Sequence, residues 1–242
     1  MQFRIFKFQQ LSSTNDQADD SKYCGGDIIV ADYQNSGRGQ RGNRWQSRGG
    51  ENLLFSLVLE PEGLRAMESF VLSEVTALAI SQTLIDFGVE GVEIKWPNDI
   101  LVGGRKIAGI LIENSLCGEY VSRSVVGVGL NVLQRNFSMV TELEATSMVN
   151  QGATVENLRE VLGQFCENFA RIYCEYTSEE LHHYYRSMLY RREGYWRYRD
   201  NKVFEDIEAR YHSIDFGMGV LTLELRGGEL RSYYFKEVSY LS

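Results

Sequence analysis

Between Asp32 and Glu51 the chain carries four arginines, Arg38, Arg41, Arg44 and Arg48, and no acid, although the full 242 residues have a formal net charge of −8. Gly37, Gly39 and Gly42 alternate with them, and Trp45 closes the run. Guanidinium groups bind carboxylates and phosphates through paired hydrogen bonds, each contributing about 1.5–3 kcal/mol. Glycines let a backbone approach such a ligand closely. No GK[ST] follows, so this is not a Walker loop. Trp45 leads toward a strand and not a helix, so it is not a dinucleotide fingerprint either. A solvated loop whose arginines happen to cluster is the alternative on charge alone, and the three glycines with the flanking Trp45 count against it.

Two further segments bear chemistry. Lys95-Trp96-Pro97-Asn98-Asp99 ends a strand at a proline, which stops the ladder and starts a turn. Asn98 and Asp99 then sit at a strand's C-terminal end, where sheet proteins often place ligands, or serve only as turn formers. In Lys106-Ile107-Ala108-Gly109-Ile110-Leu111-Ile112, alternation puts Lys106 on one face with Ala108, Ile110 and Ile112, and Ile107 with Leu111 on the other. Both faces are apolar, as in a central strand covered on both sides. Lys106 must therefore either snorkel to water or meet an anion.

The elements that would hold these residues alternate between short apolar runs and helix-period segments, an α/β or α+β pattern. Strands are predicted at 27–33, 52–60, 92–96, 100–102, 105–113 and 121–132, with Gly103-Gly104 turning a hairpin. A long helix is predicted over 62–87, its buried stripe being Met67, Phe70, Val71, Val75, Leu78 and Ala79. A second runs over 155–176 with Thr154 as N-cap, and a third starts at the capping box Thr177-Ser178-Glu179-Glu180. From Lys202 onward only β-type runs occur, at 203–211, 219–225 and 230–235, which predicts a small β-barrel or sheet.

Composition narrows the classes. A net charge of −8 opposes bulk nucleic-acid binding. No apolar run reaches the ~18 residues of a membrane span, and the N-terminus does not read as a signal peptide. Cys24, Cys117, Cys166 and Cys174 form no CxxC pair and are not spaced with His182, His183 or His212, so free, mostly buried thiols in a reducing cytosol are expected and a zinc site is not. Cys166 and Cys174 look like buried positions on the second helix.

Taken in order, Ser12-Ser13-Thr14-Asn15, Gln34 with Gly37–Trp45, Lys95–Asp99 and Lys106–Leu111 resemble the biotin–protein ligase family, also called biotin–[acetyl-CoA-carboxylase] ligases. Gly127-Val128-Gly129-Leu130-Asn131, followed by Ala145-Thr146-Ser147, is a weaker fifth match. The resemblance covers nearly the whole chain. It implies an α+β fold with a mixed β-sheet flanked by helices, akin to class II aminoacyl-tRNA synthetases, and a small C-terminal SH3-like β-barrel. The implied domains are a catalytic one at 1–193 and the barrel at 194–242. It implies two steps: biotin and ATP, taken with Mg2+, give biotinyl-5′-AMP, and a lysine of a biotin carboxyl carrier protein then takes the biotin. By this resemblance Arg38, Asp99 and Lys106 are catalytic. Ser13, Thr14, Asn15, Gln34, Arg38, Gly39, Gln40 and Lys106 bind biotin. Arg38, Arg41, Trp45, Asn98 and Asn131 bind ATP or the adenylate. The stretches 37–44 and 132–145 would cover the ligand, and metal ligands are not specified.

Ser13 is equally suited to cap the helix that begins near Thr14. Gln40 departs from the family, where arginine is frequent, and weaker retention of the adenylate is expected. The implied setting is cytoplasmic, without DNA or membrane, as a monomer or homodimer. The twelve residues before Ser13 are too few for a helix-turn-helix repressor domain. A lipoate–protein ligase of the same fold and a non-catalytic biotin or nucleotide sensor are the alternatives.

Overall fold

Strand β3, Asn52–Leu59, reads NLLFSLVL and is buried along its whole length, because it lies inside a sheet covered on both faces. The structure, a computed structural model, describes residues 1–40, 44–137 and 144–241. Before β3 come β1 (Arg4–Leu11), α1 (Thr14–Ala18) and β2 (Asp27–Gln34). After it come α2 (Phe70–Asp86), β4 (Val92–Lys95), β5 (Asp99–Val102), β6 (Arg105–Cys117), β7 (Tyr120–Asn131), α3 (Leu158–Glu175) and α4 (Ser178–Ser187). The chain ends in β8 (Trp196–Asp200), β9 (Glu205–Asp215), β10 (Val220–Leu225), β11 (Leu230–Tyr233) and β12 (Val238–Tyr240).

Among the described residues these strands form two sheets. The larger has seven strands in the order β1-β2-β3-β7-β6-β5-β4. It is mixed: β1 runs parallel to β2 and the other neighbours are antiparallel. The smaller is antiparallel, with five strands in the order β11-β10-β9-β8-β12. This is the fold class expected from the sequence.

Alternation along the strands divides the large sheet. Leu53, Phe55, Leu57 and Leu59 of β3, and Val126, Val128 and Leu130 of β7, join the main core with α2 and α3. The opposite face carries Ser56, Gly127, Gly129 and Asn131, and α1 packs there with Ala18 against Ile29, Val58 and Val125. Each fully buried aliphatic side chain contributes about 1.5–3 kcal/mol, so one face supplies most of the stability and the other is left for binding.

Several predicted elements differ from those observed. Strand β1 was not anticipated; it is an exposed edge strand whose alternation is blurred by Arg4 and Lys7, and Arg4 anchors it to buried Asp27 at 2.6 and 2.9 Å. The helix predicted from Glu62 begins at Phe70, after one 3₁₀ turn at Ala66–Glu68. Upstream of it, Arg65 bridges Tyr120 and Ala66 N–H donates to the Glu119 carbonyl at 2.8 Å, so this backbone pairs with the start of β7. Met67, predicted buried, is 57% exposed for the same reason. Helix α2 is buried nearly all round, so no single stripe describes it.

Helix α3 starts at Leu158 and is capped by Asn157, which accepts from Glu160 N–H, in place of Thr154. The capping box at Thr177 and Glu180 forms in both directions. The small sheet starts at Trp196, ahead of Lys202, because Tyr198 and Asp200 point inward between charged neighbours. Of the four cysteines, all free, Cys166 is buried, whereas Cys24, Cys117 and Cys174 are exposed, against the expectation of mostly buried thiols. No helix among the described residues is long and apolar enough to cross a membrane.

Candidate active site

Between the α1 face of the large sheet and the edge of the small one lies a cavity of about 1170 Å³. Its floor is short of side chains. A methyl group on Gly129 would overlap the Trp45 indole, and one on Gly127 would overlap the Asn15 amide. These two glycines let the loop tryptophan and the helix asparagine lie directly on β7.

One end of the cavity is a network of amides and hydroxyls. Gln34 Oε1 accepts from Thr14 N–H at 2.6 Å and from Thr14 Oγ1 at 3.2 Å. Ser56 Oγ lies 2.8 Å from Thr14 Oγ1 and 2.6 Å from Asn15 Oδ1. Asn15 Nδ2 donates to Glu113 Oε2 at 2.7 Å and the Leu111 carbonyl at 3.3 Å. Ser13 stands at the N-cap of α1, but its side chain makes no capping bond. Such a network holds fixed donors and acceptors around a small polar ring.

The other end carries charge. Lys106 Nζ is 2.5 Å from Asp99 Oδ1, and Lys95 Nζ is 3.5 Å from Asp99 Oδ2. Lys106 reaches this face through a β-bulge. Asp99 pairs with Gly109 and Ile100 with Ala108, but Leu101 pairs with Lys106, which skips Ile107. The bulge turns Ile107 into the main core and brings Lys106 beside Gly109 and the Trp45 ring, 5.6 Å from its centroid. The predicted alternation of Lys106 with Ala108, Ile110 and Ile112 is corrected accordingly.

Gly37 and Arg38 pair with Arg44 and Trp45: Trp45 N–H donates to the Gly37 carbonyl at 2.9 Å, and Arg38 and Arg44 form an antiparallel β-bridge. The Arg38 guanidinium does not point at the Lys106 end. It grips Glu113 at 3.0 and 2.8 Å and Asp16 at 2.7 Å. Gly39 and Gln40 line the cavity. Asn98 Nδ2 donates to the Ile110 carbonyl and Asn131 Nδ2 to the Thr146 carbonyl, both at 2.9 Å, so each amide also fixes local backbone. Arg41 lies outside the described residues, as do residues 138–143 of the stretch expected to cover the ligand.

Sequence reasoning missed Glu113, Ser56, Lys95 and the small sheet's Lys236 and Tyr240. Ser56 had a signal, a lone hydroxyl in an apolar strand. Lys236 had none, since its partner in the cavity wall, the Gln40 carbonyl, is 196 residues away.

A site with a polar-ring pocket at one end and paired ammonium groups at the other suits joining a carboxylate to a phosphate. The sequence model of the biotin/lipoate A/B protein ligase family matches residues 5–131, more than half of the chain. The chain belongs to that family. Within it, the bifunctional ligase/repressor BirA of Escherichia coli is 36% identical over 127 residues, 52% of this chain and 37% of that protein. Biotin–protein ligase 2 of Arabidopsis thaliana is 35% identical over 196 residues, 74% of this chain and 57% of that one. The chain thus spans less than two thirds of the length of these curated relatives. The biotin protein ligase of Aquifex aeolicus, solved with biotin and ATP, superposes with a TM-score of 0.76 over 97% of both chains at 24% identity, which shows a shared fold.

Proposed function

We propose that this protein is a biotin–protein ligase that condenses biotin with ATP to biotinyl-5′-AMP and passes the biotin to a lysine of a biotin carboxyl carrier protein. The observation that carries this is the bulged Lys106, held against Asp99 next to Trp45 and across the glycine floor from the Thr14–Gln34–Asn15 network. The ureido ring of biotin offers one acceptor and two donors, which hydroxyls and amides complement. Its carboxylate would then lie toward Lys106. Residues 1–193 form the catalytic unit in this reading, and 194–242 an SH3-like one that completes the cavity.

In the first step a biotin carboxylate oxygen attacks the α-phosphorus and pyrophosphate leaves. Lys106 spans the two anions and offsets the charge that grows on the phosphoryl oxygens. Asp99 orients Lys106. ATP enters with its Mg2+ as part of the substrate; such ions keep mostly phosphate and water oxygens. Among the described residues lining the cavity Asp99 is the only acid. In the second step the carrier's neutral lysine amine attacks the acyl carbon, the acyl C–O bond breaks with AMP as the leaving group, and the amine's surplus proton passes to solvent as the amide forms. Activity in the cytoplasm, as a monomer or homodimer and without DNA, completes the reading.

The test is biotin-dependent exchange of labelled pyrophosphate into ATP. Exchange is expected with wild type and a loss of about a hundredfold with Lys106→Ala. Equal rates would remove Lys106 from the chemistry. Exchange driven by lipoate and not biotin would change the acid, and none with either acid would overturn the ligase reading.

A further inference from the structure

The turn Asn201-Lys202-Val203-Phe204 joins β8 to β9, and its last residue is unfavourable in two ways. Phe204 has φ 59°, in the left-handed region, where a bulky side chain crowds the backbone. It is also 72% exposed, and neighbouring Val203 is 55% exposed. A turn with no other task takes glycine or asparagine at such a position. The turn is firmly based. Buried Asp200 accepts from Lys202 N–H at 2.9 Å, from Tyr233 Oη at 2.9 Å and from Arg231 at 3.3 Å. Asn201 N–H donates to the Glu237 carbonyl at 2.8 Å, and its Nδ2 to the Lys236 carbonyl at 2.8 Å and Ser239 Oγ at 2.9 Å. Two apolar residues are thus held out into solvent on a rigid support, which lowers the entropy lost when a partner covers them.

The place of the turn selects the partner. Asn201, its first residue, lines the large cavity. Phe204 follows three residues later, so its backbone lies within about 11 Å of that wall. A protein that inserts a lysine into the cavity covers about 800 Å² of this chain, a disc of roughly 16 Å radius, and a disc of that size around the cavity takes in the turn. Two side chains offer at most about 400 Å², too little to hold a second copy of the chain by themselves. They can add to a partner already engaged at the cavity. We infer that Val203 and Phe204 form an apolar knob that docks the biotin carboxyl carrier protein through an apolar patch beside its acceptor lysine. The inference rests on the ligase reading above and adds a docking contact on the small sheet. The knob sets the affinity for the carrier and takes no part in adenylation.

The full chain is made as wild type, Phe204→Gly, Phe204→Tyr and Val203→Ser. Two acceptors are compared: the biotin carboxyl carrier domain of acetyl-CoA carboxylase, and Nα-acetyl-lysine amide, which has no surface to dock. Phe204→Gly is expected to raise KM for the carrier domain about tenfold, with kcat within about twofold. Its transfer to acetyl-lysine amide and its biotin-dependent pyrophosphate exchange should match wild type. It should melt close to wild type, because relief of the turn offsets the added chain freedom. Val203→Ser should show a smaller rise in KM, and Phe204→Tyr should recover most of the wild-type value. An unchanged KM for the carrier domain in Phe204→Gly would overturn the inference. So would equal losses in exchange and in transfer to the small amine, the mark of a structural role. Dissociation of a wild-type dimer by Phe204→Gly in sedimentation velocity would also overturn it, by assigning the knob to a second copy. Absence of exchange in wild type would instead bring down the ligase reading, and the docking inference with it.

Discussion

Two glycines one turn of the pleat apart divide the site. Gly127 gives Asn15 its place on β7, and Gly129 gives Trp45 its place. A methyl at either forces a specific neighbour to move, and overpacking of this kind costs about 1–3 kcal/mol. The consequences should differ. Gly127→Ala should raise KM for biotin about tenfold and leave KM for ATP within about twofold, whereas Gly129→Ala should do the reverse. Steady-state kinetics with each substrate varied in turn checks this, and two variants shifting both constants alike would sink the division. Gln40→Arg belongs to the same scale. Its added charge should slow biotinyl-5′-AMP release severalfold, and unchanged release would show that side-chain charge at this position is immaterial. The residue types were legible in the sequence because rare chemistry clusters there. Their orientation was not. Lys106 was read on the wrong face because a bulge alters pairing without altering composition, and the grip of Glu113 and Asp16 on Arg38 joins residues 75 and 22 positions apart.

At the scale of elements, strands were legible where burial on both faces forces continuous apolar runs, as in β3, and α4 where its capping box is written out. Edges were not: in β1 the apolar Ile5, Phe6, Phe8 and Leu11 are interleaved with Arg4, Lys7, Gln9 and Gln10 without a clean period, and most of the strand is exposed. Nor was the contact between α2 and α4, where Glu74 is fully buried and its Oε1 lies 2.8 Å from His182 Nδ1. Burial pushes the Glu74 carboxyl up to about 9, against a small opposing effect of Arg186, and burial with Arg186 lowers His182. Both shifts favour the uncharged forms of the pair across this contact. A raised carboxyl pKa means that the folded state keeps a proton the unfolded state releases. The stability it contributes is complete below the usual carboxylate range and is lost as pH rises through about 9. Lowered His182 acts oppositely: its contribution holds above its ordinary range and is lost as pH falls. Wild-type stability should therefore decline from about pH 6 to about pH 9 by up to roughly 1 kcal/mol per unit, and Glu74→Gln should flatten that decline. Chemical denaturation across this range decides it; parallel curves for the two proteins would refute the buried neutral pair.

The whole molecule has one main core, not one per sheet. Tyr198, Ile207, Leu221, Leu223 and Tyr233 of the small sheet belong to the same buried cluster as Phe55 and Phe165 of the large one. Trp96 is the rivet: its Nε1 donates to the Gly219 carbonyl at 3.0 Å, and its ring meets Phe235 edge-on at 5.5 Å. Phe235 also meets Phe70 of α2 at 6.0 Å, and Phe216 lies 6.4 Å from that same ring. The tryptophan that follows β4 in the large sheet is thus the one that seats the second sheet, so the cavity wall and cooperative folding share a contact. Removing the Phe235 ring should cost about 2–4 kcal/mol, because it deletes two aromatic contacts at the junction and leaves a void between sheets. Since the core is continuous, the loss should appear as a lower midpoint of a single transition and not as early melting of 196–240. Urea unfolding of wild type and Phe235→Ala, followed by far-ultraviolet circular dichroism and by hydrogen exchange of the β8–β12 amides, tests both parts. Coincident curves that shift together are expected. If those amides in wild type lost protection well before the backbone signal fell, the small sheet would be an independent unit and the continuous core would not bind the two sheets into one cooperative structure.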